Sequence, residues 1–401
     1  MRLRAVALLV VWLAASAAGL AAPAGHATET ALRDRLRAAL AAPGLAPGRT
    51  SALAIDLRSD QVLFAHNGRR GVAPASNEKV PVAWAALVHL GPNHRFATEV
   101  VADGERRGGV VDGDLVLVGN GDPTLDADDI RALARMVRAA GIRTVTGRIR
   151  GDESAFDLRR AGPAWKAGFL GLESPALSAL VVDRAKGWPG LSPPLLAARA
   201  LREALAEVGV TAGRPGLGKA PDGVEPLAVH RSAPLSAILQ PMLADSDNFT
   251  AEMLLKTLGT VSGRRGTSAA GAGIVMSTME EAGVPMAGVA IVDGSGLSSD
   301  NRLTAEALVG VYRIALADDE IRPVFLAALA RPGREGTMEQ RIPELRKRVR
   351  AKTGTTRISC SLSGVVDGRY AFAVIETGNP VASWTARAAQ DRFVQVLASL
   401  G

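Results

Sequence analysis

The sequence predicts an α+β protein in which two blocks of helices and strands enclose a smaller inserted α/β domain. Three observations predict it. A strand pair occurs early, at 51–57 and 61–66. From about Arg95 the character changes to short strands alternating with helices. The last third returns to long helices and closes with strands joined by tight turns, which implies an antiparallel meander. A chain of 401 residues is too long for one small domain. Its 47% hydrophobic content supports packed cores, built mainly from Ala, Val and Leu because aromatics make up only 4%.

Residues 1–27 read as an export signal. Arg2 and Arg4 give a positive start, 5–22 an apolar run, and Gly25 and Ala27 a small-residue cleavage site. The run is nearly long enough to span a bilayer, so an uncleaved anchor with peripheral membrane association is the competing reading. Its Ala-rich rather than Leu-rich composition favours cleavage. Either way the chain is expected to work outside the cytoplasmic membrane, in cell wall, periplasm or extracellular space.

Helical spacing covers 28–40, and the strand pair follows, joined through Arg58-Ser59-Asp60 with turn chemistry at Asp60. A loop containing Pro74 leads to Ser76. A buried helix over 80–90 then ends at Gly91-Pro92, with Pro81 early enough that its missing amide is tolerated. The inserted domain, 95–226, is expected to hold strands at 96–102, 109–118, 143–152 and 179–183, helices at 127–140 and 195–208, and a Gly/Pro-rich stretch at 213–226. The discontinuous domain 28–94 and 227–401 resumes with helices at 235–243, 249–258, 266–282 and 304–317. Strands at 349–353, 359–366 and 370–376 come next, turning at Val366-Asp367-Gly368-Arg369, and a last helix spans 382–400.

Composition excludes several function classes. Cys360 is the only cysteine, so no intramolecular disulfide forms, and in its alternating segment it reads as a small buried hydrophobe. The net charge of +7 is diffuse and suits an anionic wall surface. Arg346, Lys347, Arg348 and Arg350 read as a solvated face, and no nucleic-acid partner is expected. His26, His66, His89, His94 and His230 lack ligand spacing, so neither metal nor cofactor is expected. The Gly-x-Gly patches at 119–121 and 294–296 read as turns.

Three short motifs carry the chemistry: Ser76-Asn77-Glu78-Lys79, Ser246-Asp247-Asn248 and Lys352-Thr353-Gly354. At i and i+3 on a helix, Ser76 and Lys79 share a face. A serine hydroxyl is a poor nucleophile until a neighbour takes its proton. Lys79 can do so only when neutral, a state that burial beside a second cation, Lys352, would favour. The Ser246 hydroxyl can relay a proton to a leaving amine, and Asn248 can hold a substrate amide. Thr353 and Thr355 can bind a carboxylate, and the N–H groups of Ser76 and Thr355 can form an oxyanion hole. Each motif alone is weak: a second Ser-Asp-Asn stands at 299–301, and Ser76 by itself reads as a helix N-cap. The three in order behind an export signal point to catalysis, and together they resemble the signature shared by penicillin-binding proteins and class A β-lactamases.

Longer stretches resemble one family, the D-alanyl-D-alanine carboxypeptidase/endopeptidases or class C low-molecular-mass penicillin-binding proteins. They are 74–79 around Ser76, 114–125 and 151–157 in the insertion, 242–256 around Ser246, and 293–298, which makes Ser246 rather than Ser299 the catalytic candidate. The resemblance implies a penicillin-binding/β-lactamase-like transpeptidase domain, an antiparallel sheet flanked by helices plus a helical subdomain. It also implies hydrolysis of peptidoglycan stem peptides ending in D-Ala-D-Ala through an acyl-Ser76 intermediate, DD-endopeptidase cleavage at the same site, and covalent inhibition by β-lactams. Ser76, Lys79, Ser246, Asn248 and Lys352 would be catalytic, and Thr353, Gly354 and Thr355 substrate-binding.

Two departures from the family stand out. Only 170 residues separate Ser76 from Ser246, where members commonly insert two domains, so one inserted domain is expected. Many members also carry an aspartate in a tryptophan-bearing segment near the pocket for the peptide side chain. The corresponding stretch, 163–169, has no carboxylate, and Trp165 is its candidate pocket wall or packing residue. A class A β-lactamase shares the triplets, but no E-x-x-L-N segment follows Asn248. An idle peptidoglycan-binding scaffold is disfavoured by the intact Ser76, Lys79, Ser246 and Lys352.

Overall fold

The structure, a computed structural model, describes residues 24–186, 188–334 and 336–401. The expected export signal lies outside the described residues, except that 24–27 begin helix α1 (Ala24–Leu40). Strands β1 (Thr50–Asp56) and β2 (Gln61–His66) pair antiparallel, and Asp60 turns between them with φ +55°. A single 3₁₀ turn at Ala75–Glu78 precedes α2 (Lys79–Leu90), which Gly91 ends.

The chain then enters a second sheet. Strands β3 (Ala97–Arg107) and β4 (Val110–Val118) form a hairpin, and α3 (Ala127–Ala139) follows behind a capping box between Asp126 and Asp129. The single strand expected over 143–152 is two, β5 (Thr144–Val145) and β6 (Ile149–Asp152), both parallel to β4. The break arises because the Asp114 side chain takes the Arg148 N–H at 2.6 Å, which interrupts the ladder. After the kinked turn α4 (Phe169–Leu172) and helix α5 (Pro193–Glu207), β7 (Pro215–Leu217) and β8 (Ala228–Arg231) complete the sheet in the order β7-β6-β4-β3-β8. Because β8 pairs with β3, this sheet runs on past residue 226, where the insertion was expected to end.

No strand forms at 179–183. Only isolated bonds reach it, Gly121 N–H to Ala179 O and Asp183 N–H to Leu125 O, and a left-handed turn at Asp183, Arg184 and Ala185 stops it. Its alternation reports burial rather than pairing. Leu180 and Val182 enter the core of the second sheet, while Leu177, Ala179 and Val181 pack with Phe249 and Met253.

Four helices follow: α6 (Leu235–Ala244), α7 (Asn248–Gly259), α8 (Ser268–Glu281) and α9 (Ala305–Ala317). A short α10 (Ile321–Ala328), not anticipated from sequence, comes next. Strands β9 (Val349–Thr355), β10 (Ser359–Val366) and β11 (Tyr370–Thr377) form the expected antiparallel meander, and α11 (Ser383–Ala398) closes the chain. The first sheet is ordered β2-β1-β11-β10-β9, so strands from the two ends of the chain meet at its centre. Each central strand is buried on both faces. Leu53, Ile55, Ala373 and Ile375 face α2 and α6 to α10, and Ala52, Ala54, Phe372 and Val374 face α1 and α11. The edge strand β9 carries Lys352-Thr353-Gly354.

Candidate active site

Ser76 sits in the 3₁₀ turn ahead of α2, so Lys79 projects back toward it at i+3. Three serines of β10 hold this turn. Strand periodicity puts Ser359, Ser361 and Ser363 on one face, where Ser359 Oγ donates to Ala73 O and Ser361 Oγ to Pro74 O, each at 2.6 Å, and Ser363 bonds the Asn77 amide oxygen. Asn77 Nδ2 donates to Ser361 Oγ at 2.7 Å. On the other side the 293–298 turn presses against Ala75, whose φ is +49°. A Cβ on Gly296 would lie 1.9 Å from Ala75 O, so only glycine fits there.

Lys79 is fully buried, and its ammonium reaches Ser76 Oγ at 3.0 Å, Asn248 Oδ1 at 2.8 Å and Ser295 O at 2.5 Å. Burial lowers its pKa to about 8, against the pull of Asp293, Asp247, Glu252 and Glu78. Of the two expected causes, burial and the charge of Lys352, burial lowers it and Lys352 is not among the causes. Lys352 is itself buried, donates to Thr353 O at 2.7 Å, and is pushed well below the ordinary lysine range by burial and then by the Lys79 charge.

The opposite wall is the junction between α6 and α7. Ser246 takes the left-handed φ of +67° that this abrupt turn requires, and Asp247 caps α7 by accepting from Phe249 N–H at 3.2 Å. Burial alone would raise the Asp247 carboxyl, but Arg184 and Thr250 reverse this and hold it below its usual range. Arg184 comes from the left-handed turn at 183–185, so the chain between the first two motifs braces the second one. Asn248 accepts from Lys79 and donates to Glu173 O at 3.0 Å.

Edge strand β9 forms the third wall. A Cβ on Gly354 would lie 2.4 Å from Ser361 Oγ and 2.8 Å from Ser76 N, so glycine lets the strand approach the Ser76 backbone. Ser76, Ser246, Asn248, Thr353, Gly354 and Thr355 line one cavity of about 450 Å³, and Lys79 and Lys352 are buried. Trp165, the candidate pocket wall, lines neither this cavity nor its neighbour of about 470 Å³; its indole N–H donates to Asp293 Oδ2 at 2.7 Å. The second Ser-Asp-Asn divides differently: Ser299 is exposed, while Asn301 is buried and its amide donates to Asp293 Oδ1 at 2.6 Å.

Several site residues escape sequence reasoning. Glu173 lines both cavities, yet no motif marks it. Glu252 is fully buried, accepts the N–H groups of Gly294 and Ser295 at 2.9 Å each, and is raised to about 8 by burial and Asp293. Glu78 is also fully buried, and burial raises it well above its ordinary value. Arg341 and Arg387 also line the first cavity.

Comparison with known proteins follows the same lines. Residues 32–187 and 190–400 match the profile of the D-Ala-D-Ala carboxypeptidase 3 (S13) family. The chain is 32% identical over 448 aligned residues to a D-alanyl-D-alanine carboxypeptidase of Actinomadura sp., covering 89% of this chain and 83% of that one. It is 31% identical to a carboxypeptidase of Mycobacterium tuberculosis with the same coverage. The crystal structure of penicillin binding protein 4 from Haemophilus influenzae superposes with a TM-score of 0.78 at 22% identity, covering 93% of this chain and 98% of that one, which shows the fold. The same protein has been crystallised with a β-lactam.

Proposed function

We propose, for a chain that belongs to the D-Ala-D-Ala carboxypeptidase 3 (S13) family and is a serine-type D-Ala-D-Ala carboxypeptidase, that Ser76 is its acylated nucleophile and Lys79 the base. One observation carries the assignment: a fully buried lysine with pKa near 8 lies 3.0 Å from the Ser76 hydroxyl. As Ser76 Oγ bonds to the carbonyl carbon of the penultimate D-alanine, its proton passes to neutral Lys79. The N–H groups of Ser76 and Thr355 receive the oxyanion. The C–N bond then breaks, and the proton moves through the Ser246 hydroxyl to the amine of the departing D-alanine. Water hydrolyses the ester and regenerates Ser76. Lys352, bonded to Thr353 O, backs the β9 wall, Asn248 orients Lys79, and Thr353 with Thr355 receives the terminal carboxylate.

In this reading a peptidoglycan cross-link is cut at the same site with a longer leaving group, and β-lactams form an ester on Ser76 that is released slowly. The neighbouring cavity, which displays Lys166 and Glu173, receives the stem-peptide side chain. The protein acts outside the cytoplasmic membrane, in keeping with the apolar leader at 5–22; among the described residues no helix is long and apolar enough to cross a membrane. Residues 95–231 constitute the inserted domain, since β3 to β8 share one sheet.

Intact-mass spectrometry after incubation with a penicillin tests the assignment. A stable adduct on wild type that Ser76→Ala lacks supports it. An unmodified wild type with intact penicillin favours an idle scaffold, and Ser76-dependent hydrolysis without an adduct favours a β-lactamase.

A further inference from the structure

The cavity holds two guanidinium groups that the mechanism above leaves unused. They differ in what surrounds them. Arg341 is neutralised: its Nε donates to Asp391 Oδ1 at 3.0 Å, and its Nη2 lies 2.8 Å from the same oxygen. It also reaches Gln390 Oε1 and Arg387 O, each at 3.2 Å. Arg387 donates through Nη2 to Thr355 Oγ1 at 3.2 Å and has no ion-pair partner among the described residues. Its guanidinium lies 5.4 Å from the ring centre of Trp384, one turn earlier on α11, a tryptophan that is 82% exposed. An arginine with no ion-pair partner among the described residues, held against an aromatic ring and hydrogen-bonded to a hydroxyl of the cavity wall, is suited to bind an anion.

We infer that Arg387 is a specificity-determining residue that binds the carboxylate on the leaving-group side of the scissile amide. The inference rests on the reading of Ser76 as the acylated nucleophile. The planar guanidinium offers paired donors to a carboxylate, and its bond to Thr355 fixes that hydroxyl as a further donor on the same wall. Trp384 limits the orientations open to the Arg387 side chain, so less freedom is lost on binding. Arg387 thereby adds to Thr353 and Thr355 in setting the preference for a leaving group with a free carboxylate over the corresponding amide or ester.

The test compares a peptide ending in D-Ala-D-Ala with the same peptide ending in D-alaninamide, using kcat/KM for wild type, Arg387→Ala, Arg387→Lys and Trp384→Ala. Wild type is expected to prefer the free acid by about 10- to 100-fold. Arg387→Ala lowers the free-acid value by a similar factor and the amide value far less, so the preference collapses. Arg387→Lys restores part of it, and Trp384→Ala loses a smaller part. An Arg387→Ala enzyme that keeps the wild-type preference overturns the inference, as does one that loses equally on both substrates, which marks a general effect through Thr355. If wild type acylates Ser76 with neither peptide nor penicillin, the assignment of Ser76 itself fails, and wild type alone reveals it.

Discussion

The two sheets bury different kinds of residue. Behind the edge of the five-stranded sheet lie Asn77, Glu78, Lys79, Glu252, Asp293 and Lys352, all removed from water, and both oxygens of Glu78 lack a hydrogen-bond partner. The core of the second sheet is Val100, Leu115, Leu117 and Ile149 against Ile130, Leu133 and Val137 of α3 and Leu201 and Leu205 of α5. Its buried carboxylates serve turns, Asp122 accepting from Thr124 and Asp152 from Ser154 and Ala220. Desolvated charges oppose folding, and they concentrate where chemistry needs an amine that is neutral near pH 8. The first sheet spends stability on reactivity, whereas the second supplies rigidity.

Lys79→Met attacks the first region directly. It removes the proposed base and is expected to slow acylation of Ser76 by about 10²- to 10⁴-fold, measured by stopped flow with a penicillin. The melting temperature should fall, because Asn248 Oδ1 and Ser295 O lose their donor and the surrounding carboxylates lose their counter-charge. If the base is the neutral Lys79 amine, as proposed, the acylation rate should climb with pH and level off above about 8. Below that point protons occupy the lone pair, and the rate should fall about tenfold per pH unit. A flat profile between pH 6 and 9 would show that Lys79 is not the base.

Leu115→Ala attacks the second region. With Leu115 fully buried, its loss should destabilise unfolding in urea by about 2–5 kcal/mol. Under native conditions kcat/KM should stay within a factor of two or so of wild type, since no site residue lies on that sheet. A large catalytic defect in a folded Leu115→Ala enzyme would end the division of labour.

The smallest effect belongs to the link between the regions. Arg184→Ala frees Asp247 from its ion pair, and kcat/KM should drop by about two- to tenfold. The Asp247 carboxyl should also titrate at higher pH, because the guanidinium that holds it down is gone. Unchanged kinetics would leave Arg184 a packing residue over the Phe249 ring, 5.2 Å away.

Sequence periodicity located most elements because burial imposes it. The runs at β1 and β11 read as strands since both faces of each are covered. Pattern alone failed at 179–183, where alternate side chains enter two cores without a strand partner. It also failed at β8, whose four residues follow a Gly/Pro-rich stretch and pair with a strand some 130 positions earlier. For Trp165 its place in the chain leaves a pocket wall and a packing residue both open, and the fold commits its indole to Asp293.

By itself the sequence determined the candidate reactive groups and their order: Ser76 three residues from Lys79, then Ser246 and Asn248, then Lys352 to Thr355. Spacing along one helix or strand fixes which neighbours share a face, so such motifs are legible without a fold. Tertiary structure decided what those groups can do. The lowered pKa of Lys79 comes from desolvation by residues brought from distant segments, the nucleophile turn is held by serines more than 280 positions away, and Arg387 reaches Thr355 from the last helix. Electrostatics and packing depend on distance in space, which a one-dimensional pattern does not contain.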